Sequence, residues 1–168
     1  MSVLRNWTAG QGTVAAGLGI LALHLAQAPA LQDRLRRDRS LIPAAIEEIL
    51  RVDAPLVANP RVTTRDVEIQ GRAIPRGERL TLMWIVTNRD PRAFDEPNAV
   101  VIERSTDAGL VWGQGIHFCV GAPLARREMR VALEELLSRT ARIEIAGAAP
   151  RRAVYRGNGL AALLLRIS

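Results

Sequence analysis

The sole cysteine of the chain, Cys119, lies in the segment Trp112-Gly-Gln-Gly-Ile-His-Phe-Cys-Val-Gly121, with three glycines around it and a helix start directly after it. Glycine permits positive φ and lets a flat ligand approach the backbone closely. A cysteine at a helix N-terminus has its thiolate favoured by the helix dipole and by orphan N–H groups. Any fold that accommodates this segment must therefore contain a sharp irregular turn that feeds a helix, with sulfur at the junction. A lone cysteine makes neither an internal disulfide nor a multi-cysteine zinc cluster. It is either an inert buried thiol or a single reactive or metal-ligating one.

The flanking sequence sets the rest of the expected fold. Ala122-Pro123 open a helix in which Ala125, Met129, Ala132, Leu133 and Leu136 recur at helical spacing up to Ser138 or Arg139. Residues 88–115 are dense in Asn, Asp, Pro and Gly without periodicity, and loops of that length in compact domains are functional or disordered. Residues 13–37 predict one long helix, small and apolar at first (Ala15, Ala16, Leu18, Ile20, Leu21), charged from Asp33 to Arg37, and hence buried at its start and exposed at its end. Ser40 stands at an N-cap position, Pro43 in the first turn, and Ile42, Ile46, Ile49 and Leu50 make one apolar stripe up to Arg51. Between Pro55 and Leu82 the runs Val67-Glu-Ile69 and Leu80-Thr-Leu82, broken at Gln70-Gly71 and Pro75-Arg-Gly77, predict a small antiparallel sheet. The tail from Ile143 to Ser168 reads as short strands around Gly157-Asn-Gly159. The expected class is mainly α with small antiparallel β-sheets (α+β), as one body over residues 1–168.

Composition removes several alternatives. All 23 basic residues are arginine and the net charge is +6, but they are interleaved with 17 acidic residues, and only three tryptophans are present to stack on bases, so no nucleic-acid partner is expected. The first residues lack a signal-peptide pattern, and the apolar run Val14 to Leu23 is stopped by His24 and Gln27; no membrane span and a cytoplasmic location are expected. Gly17-Leu-Gly19-Ile-Leu-Ala22 has dinucleotide-loop spacing but sits inside a helix with no strand before it. No Gly-x-Ser-x-Gly occurs, and a dyad of His117 with Cys119 would put the base two residues from its nucleophile on a strained loop.

The segment Trp112 to Gly121 resembles the cysteine loop of the cytochrome P-450 family, Phe-Gly-x-Gly-x-His-x-Cys-x-Gly, with Trp112 in place of Phe and every other fixed position matched. Three more segments agree in order. Glu48-Ile-Leu-Arg51 is similar to the family's Glu-x-x-Arg, although alone it would be an ordinary i,i+3 pair. Asn88-Arg-Asp-Pro91 with Phe94, Pro97 and Arg104 resembles the family's meander, and Arg61-Val-Thr-Thr-Arg-Asp-Val-Glu-Ile69 its haem-propionate strand. The resemblance implies haem b with Cys119 as the axial iron ligand, Gly113, Phe118 and Gly121 in the haem-binding loop, and Arg61 and His117 as propionate partners, since a guanidinium fork suits a carboxylate. It implies Glu48, Arg51 and Arg104 as a structural network. Ala9-Gly10-Gln11-Gly12-Thr13 is similar to the family's oxygen-binding kink, with Thr13 in the catalytic position and Gly12 where the family has an acid. A register shifted by one residue is the alternative reading of that stretch, and Ala54-Pro-Leu-Val-Ala-Asn59 has the flavour of bacterial members fused to a reductase.

The activity implied by the resemblance is that of a haem-thiolate monooxygenase module, which inserts one oxygen atom of O2 into a small organic substrate with electrons from a redox protein, a ferredoxin or a reductase domain. Arg126, Arg127 and Arg130 would dock an acidic iron–sulfur donor. The matched stretch runs from Asn6 to Ser168 and corresponds to the C-terminal, haem-binding half of a family member, truncated at the N-terminus. Leu56 to Asn59 and Gly157 to Leu160 remain as candidates for pocket lining. A half-domain of this kind would expose an apolar face to a complementing chain or to self-association. The alternative is a catalytically inactive haem-binding or interaction protein.

Overall fold

A computed structural model describes residues 3–105, 107–152 and 157–168, with side chains from residue 10 onward; the side chain of Ala9 and residues 153–156 of the predicted tail lie outside the described residues. The chain begins with α1 (Val3–Gln27), turns sharply at Ala28 and continues as α2 (Pro29–Arg37). The bend between them is 104°, so the single helix predicted over 13–37 is two. Pro29 is the cause: it has no amide to donate, its ring would clash with the carbonyl four residues back, and it drives Ala28 to φ −126°, ψ 78°.

Burial along α1 also differs from expectation. Gln11, Gly12, Thr13 and Ala15 are exposed, whereas Gly17, Ile20, Leu21 and Leu25 are buried. The core partners meet the middle of the helix: a Cβ at Gly17 would stand 3.2 Å from the Met129 sulfur, while one at Gly12 would meet nothing within 4 Å. Small apolar composition alone does not say which stretch is covered.

Before α3 (Ile42–Val52) the chain makes a 3-10 turn, Arg39–Leu41. The cap there is Asp38 rather than Ser40: its carboxylate accepts the Ser40 N–H at 3.0 Å and the Ser40 hydroxyl at 2.6 Å. The predicted stripe of Ile42, Ile46, Ile49 and Leu50 is fully buried. On α5 (Ala122–Arg139) the buried residues are Ala122, Ala125, Met129, Leu133 and Leu137, one face at 3–4 residue spacing. Helices α1, α3 and α5 pack together around this core, to which Ile102 and Ile143 also belong. Buried Gln32 joins its parts, donating to the carbonyls of Leu25 (2.8 Å) and Ile143 (2.7 Å) and accepting the Ile143 N–H (3.1 Å).

The β-rich stretch forms two antiparallel ribbons rather than one sheet. Strand β1 (Asn59–Val62) pairs with β4 (Arg79–Leu82), and β2 (Val67–Ile69) with β3 (Arg72–Ile74). Gln70 and Gly71, at φ 53° and 75°, supply the two positive-φ positions of the tight β2–β3 turn. A short helix α4 (Trp84–Thr87) follows β4. In the tail, β5 (Ile143–Ile145) pairs with β8 (Leu165–Ile167), and β6 (Arg151–Arg152) with β7 (Leu160–Ala162). A bridge between Leu56 and Gly157, with the Asn158 N–H on the Pro55 carbonyl at 2.9 Å, ties the tail to the segment after α3. Among the described residues no single helix is long and apolar enough to cross a membrane; the bent pair α1–α2 passes only as a pair, and the middle of α1 is core.

Candidate functional site

Glu48 and Arg51 are three residues apart on α3, on its inward face, and both side chains are completely buried. Arg51 uses all five of its donors: Nε and one Nη2 hydrogen on Glu48 (2.7 and 2.9 Å), Nη1 on the carbonyls of Asn88 (2.7 Å) and Pro97 (2.9 Å), and the second Nη2 hydrogen on Ala99 (3.0 Å). The Phe94 ring lies 4.7 Å from its guanidinium carbon. Glu48 further accepts the Val101 N–H at 3.0 Å and Arg104 Nε at 3.1 Å. Burial by itself would push the Glu48 carboxyl up, but hydrogen bonds from Arg51, Val101 and Arg104 outweigh it and hold it below the ordinary glutamate range. The irregular stretch 88–105 is thus folded around a cation, its carbonyls turned inward to solvate one arginine.

Asn88 extends the same frame to the cysteine loop, its Oδ1 accepting the Leu110 N–H at 2.6 Å. Leu110 in turn accepts the Gly113 N–H at 3.1 Å. Gly113 and Gly115 adopt φ 74° and 65°, and a Cβ on Gly113 would approach the His117 carbonyl oxygen to 3.2 Å. After the 3-10 turn Gly115–His117, the Cys119 N–H bonds the Trp112 carbonyl at 2.8 Å. Gly121 then caps α5. The loop closes on itself and presents a half-buried sulfur at the helix start, among exposed apolar side chains: Ile116 (97%), Val120 (96%), Leu124 (63%) and Phe118 (50%).

The chain matches the Cytochrome P450 family over residues 1–141. It belongs to that family. Cyclomarin C epoxidase CymV of Salinispora arenicola is 42% identical over 139 residues, covering 83% of this chain and 35% of that protein. Cytochrome P450 CYP199A2 of Rhodopseudomonas palustris is 38% identical over 161 residues, 96% of this chain and 39% of that one. The chain therefore spans little more than a third of the length of these relatives. Substrate-free CYP150A6 of Mycobacterium marinum superimposes with a TM-score of 0.91 at 33% identity, over 96% of this chain and 42% of that structure. The mainly helical architecture with small antiparallel ribbons is thus a P450 architecture.

Membership implies a haem cofactor, and the residues here suit one. Among the described residues no group of three or more His, Cys, Asp or Glu is placed to hold a bare metal ion. One soft sulfur donor fits iron that already has four porphyrin nitrogens. The uncovered apolar side chains around it suit a flat apolar macrocycle. The other residues named from sequence are spread over separate elements. Arg61 is half-buried on β1 with one N–H on its own neighbour's carbonyl, Pro60, at 2.9 Å. His117 is exposed in the 3-10 turn, Phe118 precedes Cys119 with its side chain half exposed, and Thr13 is exposed on α1.

Two constellations are not legible in the sequence. Glu47, next to Glu48 but facing the cysteine loop, accepts Trp112 Nε1 at 2.8 Å and Arg126 Nε at 2.6 Å, while the Arg126 guanidinium stacks 4.7 Å from the Trp112 ring centre. The only signal for it is the tryptophan in a phenylalanine position. At the C-terminus of α3, buried Asp53 gathers His24 (3.3 Å), Arg152 (2.5 Å) and Asn158 (2.5 Å). Burial opposes ionisation of Asp53, but the hydrogen bonds from His24 and Arg152 hold its carboxyl below the ordinary aspartate range. Nothing in local spacing links positions 24, 53, 152 and 158. A groove of about 500 Å³ beside Pro43 and Ile46 is lined by Glu47, Arg104, Arg126, Arg127 and Arg130.

Proposed function

We propose that the chain is the haem-thiolate part of a P450 monooxygenase, in which the Cys119 sulfur would hold the iron of haem b. The observation that carries this reading is the closed, glycine-flanked loop that delivers one sulfur to the start of α5 amid uncovered apolar side chains. Bound there, haem would supply one-electron reduction and activation of O2 for insertion of one oxygen atom into a small organic substrate.

This chain's own residues do the positioning. Cys119 would hold the iron through its thiolate, and its backbone N–H on the Trp112 carbonyl keeps the residue in the closed loop. Arg61 has guanidinium donors beyond the one on Pro60, and with His117 it would bind the propionate carboxylates. Phe118 would lie against the macrocycle and exclude water, Gly121 would keep a side chain away from the sulfur, and Gly113 would let the loop close past the His117 carbonyl. Thr13 Oγ1, on α1, would hold and pass a proton. Glu48, Arg51 and Arg104 touch none of this; they keep the 88–105 stretch in the shape that carries the cysteine loop. Electrons would come from a ferredoxin-like or reductase donor, for which exposed Arg127 offers a cation.

The test is the reduced carbon-monoxide difference spectrum of haem-loaded chain. A thiolate-type band that disappears in Cys119→Ser is expected; an unchanged spectrum in that variant, or no haem uptake, refutes the assignment. Gly12, which stands where the family has an acid beside Thr13, favours a second reading in which haem is bound without turnover. Substrate-dependent O2 consumption in the presence of a ferredoxin and its reductase separates the two.

A further inference from the structure

Trp112 is the one fixed position of the cysteine loop that departs from the family pattern, and it is also where two independent ties meet. Its carbonyl holds the Cys119 N–H at 2.8 Å, so ring and sulfur belong to one closed loop. Its indole N–H, which a phenyl ring lacks, donates to Glu47 Oε2 at 2.8 Å. Glu47 Oε1 accepts Arg126 Nε at 2.6 Å, and the Arg126 guanidinium lies over the Trp112 ring at 4.7 Å. Arg126 is in the second turn of α5, just beyond the helix start that carries the sulfur. A carboxylate fork and an aromatic face thus leave this cation little freedom.

We propose that Glu47 and Arg126 are positioning residues for the cysteine ligand: Glu47 fixes the Arg126 cation over Trp112, and that fixed charge raises the reduction potential of iron bound to Cys119. The inference rests on the reading of Cys119 as haem ligand. One-electron reduction adds negative charge to the iron–thiolate unit, and a held cation favours the more negative state. The electrostatics agree in direction. Glu47 is the main cause of the raised Arg126 pKa, and the Cys119 sulfur also favours the charged guanidinium. Arg126 is held from one side by Glu47 and Trp112 while 42% of its side chain stays exposed; Arg127 beside it is exposed as well.

The experiment is spectroelectrochemical titration of the haem-loaded chain without any redox partner. Arg126→Gln is expected to shift the potential to a more negative value, whereas Arg127→Gln, the same loss of charge one residue away, leaves it near wild type. Glu47→Gln removes a negative charge, which by itself would raise the potential; because it also releases the Arg126 cation, it is expected instead to lower it, by less than Arg126→Gln does. Equal shifts in Arg126→Gln and Arg127→Gln, or a raised potential in Glu47→Gln, overturn the proposal. Should Arg126→Gln lose its fold by circular dichroism, Arg126→Lys replaces it: a single-headed ammonium cannot keep both anchors, and a potential equal to wild type overturns the proposal. A wild-type chain that takes up no haem overturns the haem reading and this inference together, while the outcomes above, in a chain that binds haem, overturn the inference alone.

Discussion

Glu47 and Glu48 are neighbours on α3, about 100° apart around the helix, and each binds arginine, yet they do opposite things. Glu48 is wholly buried and takes four hydrogen bonds, from Arg51, Arg104 and a backbone amide. Glu47 keeps a fifth of its side chain in water and ties a tryptophan and an arginine beside the cysteine loop. The buried Glu48–Arg51 pair is saturated: both side chains are fully enclosed and every Arg51 donor is used, so the pair serves as a frame. The outer cluster stands beside a half-buried sulfur ringed by apolar side chains, where a ligand has room. A closed ionic network shapes the molecule, and an open one beside it is placed to act.

The sharpest way to break this contrast is to remove one member of each cluster. Glu48→Ala is expected to cost about 3–5 kcal/mol, because Arg51 is left as an uncompensated buried charge, and urea unfolding followed by circular dichroism would read it. A cost under about 1 kcal/mol would mean that the inner cluster is not a frame. Its pH dependence has a definite sign. The folded Glu48 carboxyl lies below its unfolded value of 4.5, so its contribution is present above pH 4.5 and fades as pH falls through the lower folded value. The stability gap between wild type and Glu48→Gln is therefore expected to narrow on acidification below pH 4.5.

Next in size is the loop. Gly113→Ala is expected to cost about 2 kcal/mol, from a left-handed backbone and a Cβ that would stand 3.2 Å from the His117 carbonyl. Gly115→Ala, at φ 65° but with open space around it, costs only the conformational part, about 1 kcal/mol. Equal losses in the two variants would show that the loop is looser than its contacts say. Glu47→Ala is expected to cost about 1 kcal/mol, since its partners can turn to water, while changing the haem spectrum more than Glu48→Gln does in protein that still folds. Smallest is Arg139→Ala, which removes an exposed i,i+4 pair with Glu135 and is expected to stay within about 0.5 kcal/mol. A larger loss there would mean that surface pairs on α5 matter to the frame.

Legibility tracks range along the chain. The start and end of α5, the buried stripe of α3 and the β2–β3 turn depend on spacing and on one proline or glycine, and they are readable. The break at Pro29 is equally local, but the apolar pattern runs straight through it and masks it. Asp38 and Ser40 both suit the cap before α3, and only backbone geometry chooses between them. For the site, the glycine pattern around Cys119 and the i,i+3 pair of Glu48 with Arg51 are visible in sequence, whereas the carbonyls of Asn88, Pro97 and Ala99 that complete Arg51 are not.

Sequence alone was enough for α3, α5, the β2–β3 turn, the cysteine turn and the likeness to P450s, because these rest on the chemistry of neighbours within a turn or two of chain. Only the tertiary structure decided which of two adjacent glutamates is buried, that Arg126 is committed to Trp112, and that His24, Asp53 and Arg152 meet. Those outcomes depend on which faces of α1, α3 and α5 are covered, and the packing of distant segments, with the need to satisfy every buried charge, settles that.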